Sequence, residues 1–240
     1  MGHKDRQNDE RSRVLEARRE KAVQEKAGLL KNVETAESLK LFPLVHHSET
    51  LASLAQVSPC YGETPVCSPV TFEIRRGERI LLEGKNGSGK SSLLKLLAGK
   101  ENAGSALTHT GTLTLASGLI VSLVPQDTSF LRGSLNRFAA DQGLDETLFF
   151  AVLRKLDFER SAFTRNMEQC SAGQKKKILI ARSLCQRAHL YLWDEPLNYI
   201  DIYSRTQVEQ LILEFAPTMV FVEHDQAFQE RIATKKVAVS

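Results

Sequence analysis

One glycine-rich stretch, Gly84–Ser91, constrains the fold of this chain more than any other part of its sequence. It reads GKNGSGKS, which matches the Gly-x-x-x-x-Gly-Lys-Ser spacing of a phosphate-binding loop. The apolar run Arg79–Glu83 before it predicts a buried strand, and the run Ser92–Gly99 after it predicts a helix that a glycine ends. A strand, a loop and a helix in this order are the context in which such a loop binds phosphate.

The residue types of this loop suit a phosphate chain. Glycines let the backbone curl so that several N–H groups point into one concavity, and the following helix adds its positive dipole end. Lys90 can reach β- and γ-phosphates, and the Ser91 hydroxyl can ligate Mg²⁺. A glycine-rich turn without a ligand is the alternative, which the flanking strand and helix disfavour. The predicted phosphate contacts are Gly84, Asn86, Gly87, Ser88, Gly89, Lys90, Ser91 and Ser92.

Length and composition exclude some classes of protein. A chain of 240 residues holds one large domain, or one domain with an appendage. The net charge of +3 is too small to predict nucleic-acid binding from the total alone. No apolar run reaches the roughly 18 residues of a membrane span, and the N-terminus is not signal-like, so we expect a cytoplasmic protein. The cysteines, Cys60, Cys67, Cys170 and Cys185, form no Cys-x-x-Cys pair, which favours reduced thiols over a metal site or disulfides.

Residues 1–41 differ in composition from the rest of the chain. Arg and Lys alternate with Glu there, without proline or Phe, Trp and Tyr, which predicts a long charged helix. Its sparse apolar positions mean that it is either solvated or a connector whose basic face meets RNA or another domain. Phe42 and Pro43 mark a boundary, so we expect a linker helix over 1–41 and one domain over 42–240. His46 and His47 are interpreted as linker residues rather than metal ligands.

Apolar strands and helical patterns alternate after this boundary. The alternation predicts an α/β fold with a mostly parallel sheet, covered by helices on both faces, and a helical subdomain over about 128–170. Such sheets bind ligands at the carboxyl ends of their strands. Four strand-end motifs fall on that edge, at Gly84, Gln126, Asp194 and His224.

The acidic pair Asp194-Glu195 suggests a Mg²⁺-dependent nucleotide hydrolase. The first carboxylate can hold Mg²⁺ opposite Ser91, and the second can orient or deprotonate a water molecule. Gln126 is expected near Mg²⁺ and this water, and His224 on the γ-phosphate. A lone glutamine or histidine at a strand end is more often a capping or surface group, but their shared edge favours the functional interpretation.

Together these motifs resemble those of ABC-type ATPases over roughly residues 48–240. Gly84–Ser91 resembles the Walker A loop, Leu190–Glu195 the Walker B strand, Gln126 the Q-loop and His224 the switch histidine. Three further matches complete the set: Ser171–Gln174 (SAGQ) with the ABC signature, 196–201 with the D-loop, and Tyr61 with the aromatic residue that stacks on the base. The alternative interpretation is that Tyr61 is a half-buried turn tyrosine that binds no base.

The resemblance implies a P-loop fold with a mostly parallel core, an antiparallel β subdomain and a helical subdomain. It also implies that ATP and Mg²⁺ bind between the Walker motifs of one domain and the signature of another. Ser171, Gly173 and Gln174 would then serve a nucleotide held by a partner, either a second copy or a first ATPase domain that this chain lacks. Hydrolysis is expected to be slow until the domains pair.

Within the ABC group, the chain is similar to the ABC-F proteins, soluble two-domain ATPases that act on ribosomes, some of which protect them from antibiotics. The stretch DEPLNYID at Asp194–Asp201 is similar to that family's DEPTNHLD, and three lysines follow the signature directly. The segment between Gln126 and Ser171 is short and lacks the acidic-glycine motif of many transporter ATPases. Cys170 departs from the leucine usual before the signature serine. The alternatives are the cytosolic ATPase subunit of a membrane transporter and a truncated, inactive nucleotide-binding fragment.

Overall fold

The structure, a computed structural model, describes residues 40–99 and 107–240. The predicted charged helix over 1–41 lies almost entirely outside the described residues, so that helix and the boundary at residue 42 stay predictions. The strands are β1 Thr50–Tyr61, β2 Thr64–Pro65, β3 Val70–Arg75, β4 Arg79–Glu83, β5 Leu107–Leu115, β6 Val121–Val124, β7 Leu190–Asp194, β8 Met219–Val222 and β9 Lys235–Ala238. The helices are α1 Lys90–Leu97, α2 Leu135–Asp141, α3 Glu146–Lys155, α4 Ala172–Cys185, α5 Ile202–Phe215 and α6 Gln226–Ile232, with 3₁₀ turns at Arg160–Thr164 and Met167–Gln169.

A five-stranded parallel sheet forms the centre of the domain. Its strand order is β6-β7-β8-β4-β9, and every neighbouring pair is parallel. The carboxyl ends of β4, β6, β7 and β8 therefore meet at one edge. The four strand-end motifs lie at these ends, as the sequence predicts.

The four remaining strands, β1, β2, β3 and β5, form a second, antiparallel sheet. The long strand β1 pairs with each of the other three. Tyr61, the last residue of β1, is paired with Leu107 of β5. The α/β class, with one parallel and one antiparallel sheet and additional helices, is confirmed.

The parallel sheet is buried on both faces, and its strands show why. Along β7, Leu190 and Leu192 belong to the core cluster that contains the apolar residues of α1. The alternate residues, Tyr191 and Trp193, belong to the cluster that contains those of α4. A strand covered on both sides is apolar throughout, so the first polar residue after it falls at the open edge of the sheet. In β7 that residue is Asp194.

Within residues 40–99 and 107–240, no helix is long and apolar enough to cross a membrane. The same residues contain no group of three or more His, Cys, Asp or Glu side chains arranged to hold a metal ion. The four cysteines are free thiols.

Candidate nucleotide site

The loop Gly84–Ser91 joins β4 to α1 and is closed by its own lysine. Lys90 is buried, and its Nζ donates to the carbonyl oxygens of Gly84 at 2.8 Å and Lys85 at 2.7 Å. A Cβ atom at Gly84 would lie 2.1 Å from the carbonyl oxygen of Val239, so only glycine fits there. A ligand with phosphate oxygens would compete with the two carbonyls for the Lys90 ammonium, which binds anions more strongly.

The loop lines a cleft of about 560 Å³ together with residues from three strand ends. Glu195, Asn198 and His224 share this lining with the loop residues. Ser88 is not part of this lining, and its hydroxyl oxygen is buried without a hydrogen-bond partner. The cleft is lined by Val66, Asn86, Gly87, Gly89, Lys90, Ser91, Ser92, Gln126, Glu195, Asn198 and His224.

Glu195 is the most constrained side chain of the cleft. Its Oε2 accepts hydrogen bonds from Gln126 Nε2 at 2.9 Å and from Asn198 Nδ2 at 2.7 Å, and its Oε1 lies 3.1 Å from His224 Nε2. The side chain is 13% exposed, so it is reachable from the cleft without being free to turn. Its backbone has a φ of 48°, a conformation that non-glycine residues rarely adopt and that occurs most often at functional sites.

Asp194 is the buried acidic group beside it. Desolvation raises the pKa of its carboxyl, a hydrogen bond from Ser91 acts in the opposite direction, and the charge of Glu195 raises it further. The Oδ1 atom is buried and has no hydrogen-bond partner. A buried carboxylate oxygen without a donor is costly, and a cation would satisfy it.

Three oxygen donors fit a Mg²⁺ ion at this position. They are the Asp194 carboxylate, the Ser91 hydroxyl and the Gln126 amide oxygen, since the Gln126 amide nitrogen already donates to Glu195. Mg²⁺ prefers such hard oxygen ligands and usually keeps several waters and phosphate oxygens as well. When bound, the ion would neutralise part of the negative charge on a phosphate chain.

Tyr61 lies at an adjoining cleft of about 510 Å³ rather than among the lining of the first. Both clefts share Ser91 and Gln126, so the two are contiguous at these residues. The Tyr61 hydroxyl oxygen is 3.5 Å from Ser92 Oγ, and its side chain is 45% exposed. The ring therefore has an accessible face on which a nucleotide base could stack.

The signature segment Ser171–Gln174 does not contribute to the cleft lining. Ser171 caps α4: its hydroxyl accepts from the Gln174 N–H at 3.2 Å, and the Gln174 side chain accepts from the Ser171 N–H at 2.9 Å. A Cβ atom at Gly173 would lie 2.4 Å from the carbonyl oxygen of Tyr199. The signature segment therefore packs against segment 196–201, which resembles a D-loop, rather than against its own phosphate loop.

Several residues that position the site carry weaker sequence signals. Asn198 donates to Glu195, and its place within DEPLNYID is the signal that could have identified it. Glu223 accepts from the Leu197 N–H at 3.2 Å, and its position next to His224 is a similar signal. Arg205 donates to the carbonyls of Leu197 and Ile200 at 3.0 and 3.1 Å, and no motif points to it.

Lys177 and Asp201 join the signature helix to the end of segment 196–201. Lys177 Nζ lies 2.6 Å from Asp201 Oδ2 and also donates to the Asp157 carbonyl. The other oxygen, Oδ1, accepts from the Ser204 N–H at 2.9 Å, so Asp201 is the N-cap of α5. Desolvation raises the pKa of Asp201, but hydrogen bonds from Lys177 and Ser204 outweigh it and lower that pKa to about 2.

This lowered pKa predicts a pH dependence of folding stability. A carboxylate with a lower pKa in the folded chain stabilises the fold above its unfolded pKa of about 3.9, and the contribution disappears as the pH falls through the folded value. We expect Asp201→Asn to lower stability at pH 7 and to flatten its decline between about pH 5 and 2. Urea unfolding midpoints across that range measure the effect, and parallel curves for variant and parent would contradict it.

The family model for the ABC transporter matches residues 67–198, more than half of the chain. Ribosome protection protein VmlR of Bacillus subtilis is 26% identical over 189 residues, which cover 77% of this chain and 33% of VmlR. ATP-binding protein Uup of Caulobacter vibrioides is 28% identical over 192 residues, 76% of this chain and 31% of Uup. The chain thus spans about a third of the length of these relatives.

A solved structure agrees with the sequence comparisons. It is the crystal structure of the complex of archaeal ribosomal stalk protein aP1 and archaeal ribosome recycling factor aABCE1. The superposition has a TM-score of 0.61 at 25% identity and covers 81% of this chain and 38% of the matched chain. Since the family model spans the phosphate loop, the signature segment and the acidic strand end, the chain belongs to the ABC transporter family, as one of its ATPase domains.

Proposed function

We propose that this domain binds ATP with Mg²⁺ and hydrolyses it in the cleft between the phosphate loop and Glu195. The observation that carries the proposal is the fixed Glu195 carboxylate, held by Gln126, Asn198 and His224 in the same cleft as Lys90. A carboxylate held in this way is suited to accept a proton from a water molecule that attacks a phosphorus atom.

Each remaining residue of the cleft has a role in this proposal. Lys90 would transfer its hydrogen bonds from the two loop carbonyls to the phosphate oxygens, and the loop N–H groups would bind the rest of the chain. Ser91, Gln126 and Asp194 would hold Mg²⁺. His224 would contact the γ-phosphate, and Tyr61 would stack on the base.

We also propose that hydrolysis requires a second ATPase domain. Ser171, Gly173 and Gln174 lie outside the lining of the cleft, and in the family such a segment completes the site of a partner. The side chain of Tyr199, at the adjacent segment 196–201, is 77% exposed, which leaves it available to a partner. The partner is either a second copy of this chain or a separate ATPase domain.

The cellular role that we propose is that of a cytoplasmic ABC-F ATPase that acts on the ribosome and protects it from an antibiotic. The DEPLNYID stretch, the similarity to VmlR and the likeness to a protein in complex with a ribosomal stalk protein support it. The match to the ABC transporter family model favours the second candidate, the ATPase subunit of a membrane transporter.

Sedimentation distinguishes these two roles. We expect a Glu195→Gln variant with ATP to pellet with purified 70S ribosomes, because slowed hydrolysis would prolong the ATP-bound state, and to remain in the supernatant with ADP. Membrane vesicles from the cells that supply the ribosomes serve as the comparison. Pelleting with vesicles but not with ribosomes would contradict the ribosomal role and support the transporter role. The chain would be an inactive fragment if the parent binds ATP without hydrolysing it and the Glu195→Gln variant pellets with neither ribosomes nor vesicles.

A further inference from the structure

Lys176, one of the three lysines that follow the signature segment, is a buried cation with no role in the nucleotide site described above. It lies in the second turn of α4, and the residue is 4% exposed. Its Nζ donates to the carbonyl oxygens of Pro125 at 3.1 Å and Asp194 at 3.3 Å. Its hydrogen-bond partners are therefore backbone carbonyls and not a carboxylate.

The cost of burying this ammonium is partly offset by the acidic groups around it. Desolvation is the larger effect and lowers the pKa of Lys176, while the charges of four carboxylates act in the opposite direction. Three of them, Asp194, Glu195 and Glu223, lie at or beside the ends of β7 and β8, and the fourth, Asp127, follows Gln126. A buried charge without compensation would be strongly destabilising, so the acidic edge and this lysine depend on each other.

The two carbonyls that Lys176 contacts belong to neighbouring strand ends. Val124 of β6 is paired with Trp193 of β7. The contacted carbonyls are those of the residues that follow this pair in the chain, Pro125 and Asp194. The first of these peptides continues into Gln126 and the second into Glu195. The lysine thus bridges the backbone directly before two groups that meet in the cleft at 2.9 Å.

We propose that Lys176 is a positioning residue for ATP hydrolysis. Its ammonium sets the spacing between Gln126 and the Asp194-Glu195 pair, and it connects both to the helix that begins at the signature segment. Lys176 is not among the residues that line the phosphate cleft, so it acts through these residues and not on the nucleotide. This inference rests on the proposed ATPase function.

Three variants of the 240-residue chain separate positioning from simple packing. Lys176→Met keeps the apolar stem and removes the donors and the charge. Lys176→Arg keeps the charge and can bridge two carbonyls, because guanidinium offers several donors. Lys175→Met is the control, because it removes the neighbouring lysine of the same helix and Lys175 has no place in the nucleotide site.

The readouts are ATP binding with and without Mg²⁺ and the steady-state rate of hydrolysis. Trp193, the only tryptophan in the sequence, directly precedes Asp194 and provides a fluorescence signal. We expect Lys176→Met to bind ATP without Mg²⁺ like the parent but to lose most of the gain in affinity that Mg²⁺ gives. Its kcat should fall about 100-fold with little change in KM, the scale of effect of a displacement of about 1 Å in an active site. Lys176→Arg should recover most of the loss.

The outcomes that overturn the inference are distinct from failure of the proposed function. Parental kcat and Mg²⁺ dependence in Lys176→Met would contradict positioning. So would a variant that melts at a lower temperature and loses ATP binding equally with and without Mg²⁺, because that pattern indicates a purely structural role. Failure of Lys176→Arg to recover activity would also contradict it. If the parent itself binds no ATP, the proposed function fails, and this role fails with it.

Discussion

Replacing Glu195 with glutamine is expected to lower the rate of ATP hydrolysis about 1,000-fold, within the usual range for loss of a general base, while ATP binding is kept. Glutamine has the same shape and retains an oxygen acceptor, but it cannot take a proton from water. The three side chains around Glu195 therefore keep a partner, and the cleft keeps its form. Single-turnover hydrolysis and equilibrium ATP binding, measured on the same preparation, test both halves of this expectation.

The same variant tests pairing. Since ATP would remain uncleaved between two domains, we expect Glu195→Gln to form a dimer on size-exclusion chromatography with Mg²⁺ and ATP, but not with ADP. Glu214→Gln, which changes an exposed glutamate of α5, is the matched control and should behave like the parent. Unchanged hydrolysis in Glu195→Gln would remove Glu195 from its proposed role, and a monomer under all conditions would contradict self-pairing.

Replacing Lys90 with alanine is expected to weaken ATP binding about 100-fold or more. Hydrogen bonds to a charged group contribute about 1.5–3 kcal/mol each, and Lys90 can offer two or three of them to the β- and γ-phosphates. Each 1.4 kcal/mol of lost binding free energy weakens the affinity about tenfold. Isothermal titration with ATP and Mg²⁺ measures it directly.

A control is needed because Lys90 also closes the loop. Its two bonds to the carbonyls of Gly84 and Lys85 would be lost in the variant, so thermal unfolding must be compared in the absence of nucleotide. Lys236→Ala removes an exposed lysine of β9 that pairs with Glu83, and it should leave ATP affinity unchanged. Parental ATP affinity in Lys90→Ala would show that Gly84–Ser91 is not the phosphate site.

The parts of the fold that the sequence predicts best are those with a strong local signal. The centre of the run Arg79–Glu83, Ile80–Leu82, is apolar because it is covered on both faces, and the structure gives β4 the same bounds as the run. The apolar run Met219–Val222 likewise predicts a buried strand, and the structure gives β8 the same bounds. Since polar residues directly follow such strands, their common edge could be predicted together with the strands themselves.

Elements fixed by distant contacts could not be predicted in the same way. The stretch Thr50–Val57 predicts a strand, but β1 continues to Tyr61, because its second half pairs with β5. The alternation in Gly111–Leu115 also predicts a strand, but β5 begins earlier, at Leu107. The interpretation of His46 as a linker residue was wrong. It is buried within the domain, and its Nε2 lies 3.0 Å from the carbonyl oxygen of Ser117. Neither pairing leaves a periodic pattern in the sequence.

The same limit applies to the site. The alternation of strands and helices predicts that Gln126, Asp194 and Glu195 lie at one edge of the sheet. It does not predict which side chains hold them there. Lys176 is one of three consecutive lysines in the sequence, and nothing there distinguishes it from its neighbours. Only the packing of α4 beneath β6 and β7 shows that this lysine is buried against two carbonyls.

The central claim is that one cleft binds the phosphates through Lys90 and holds the water that Glu195 activates. A crystal structure of Glu195→Gln with ATP and Mg²⁺ tests it most directly. We predict that Lys90 Nζ leaves the carbonyls of Gly84 and Lys85 for the phosphate oxygens, with the metal on Ser91, Gln126 and Asp194. An ATP molecule bound elsewhere, or a metal that contacts none of these three residues, would contradict the claim.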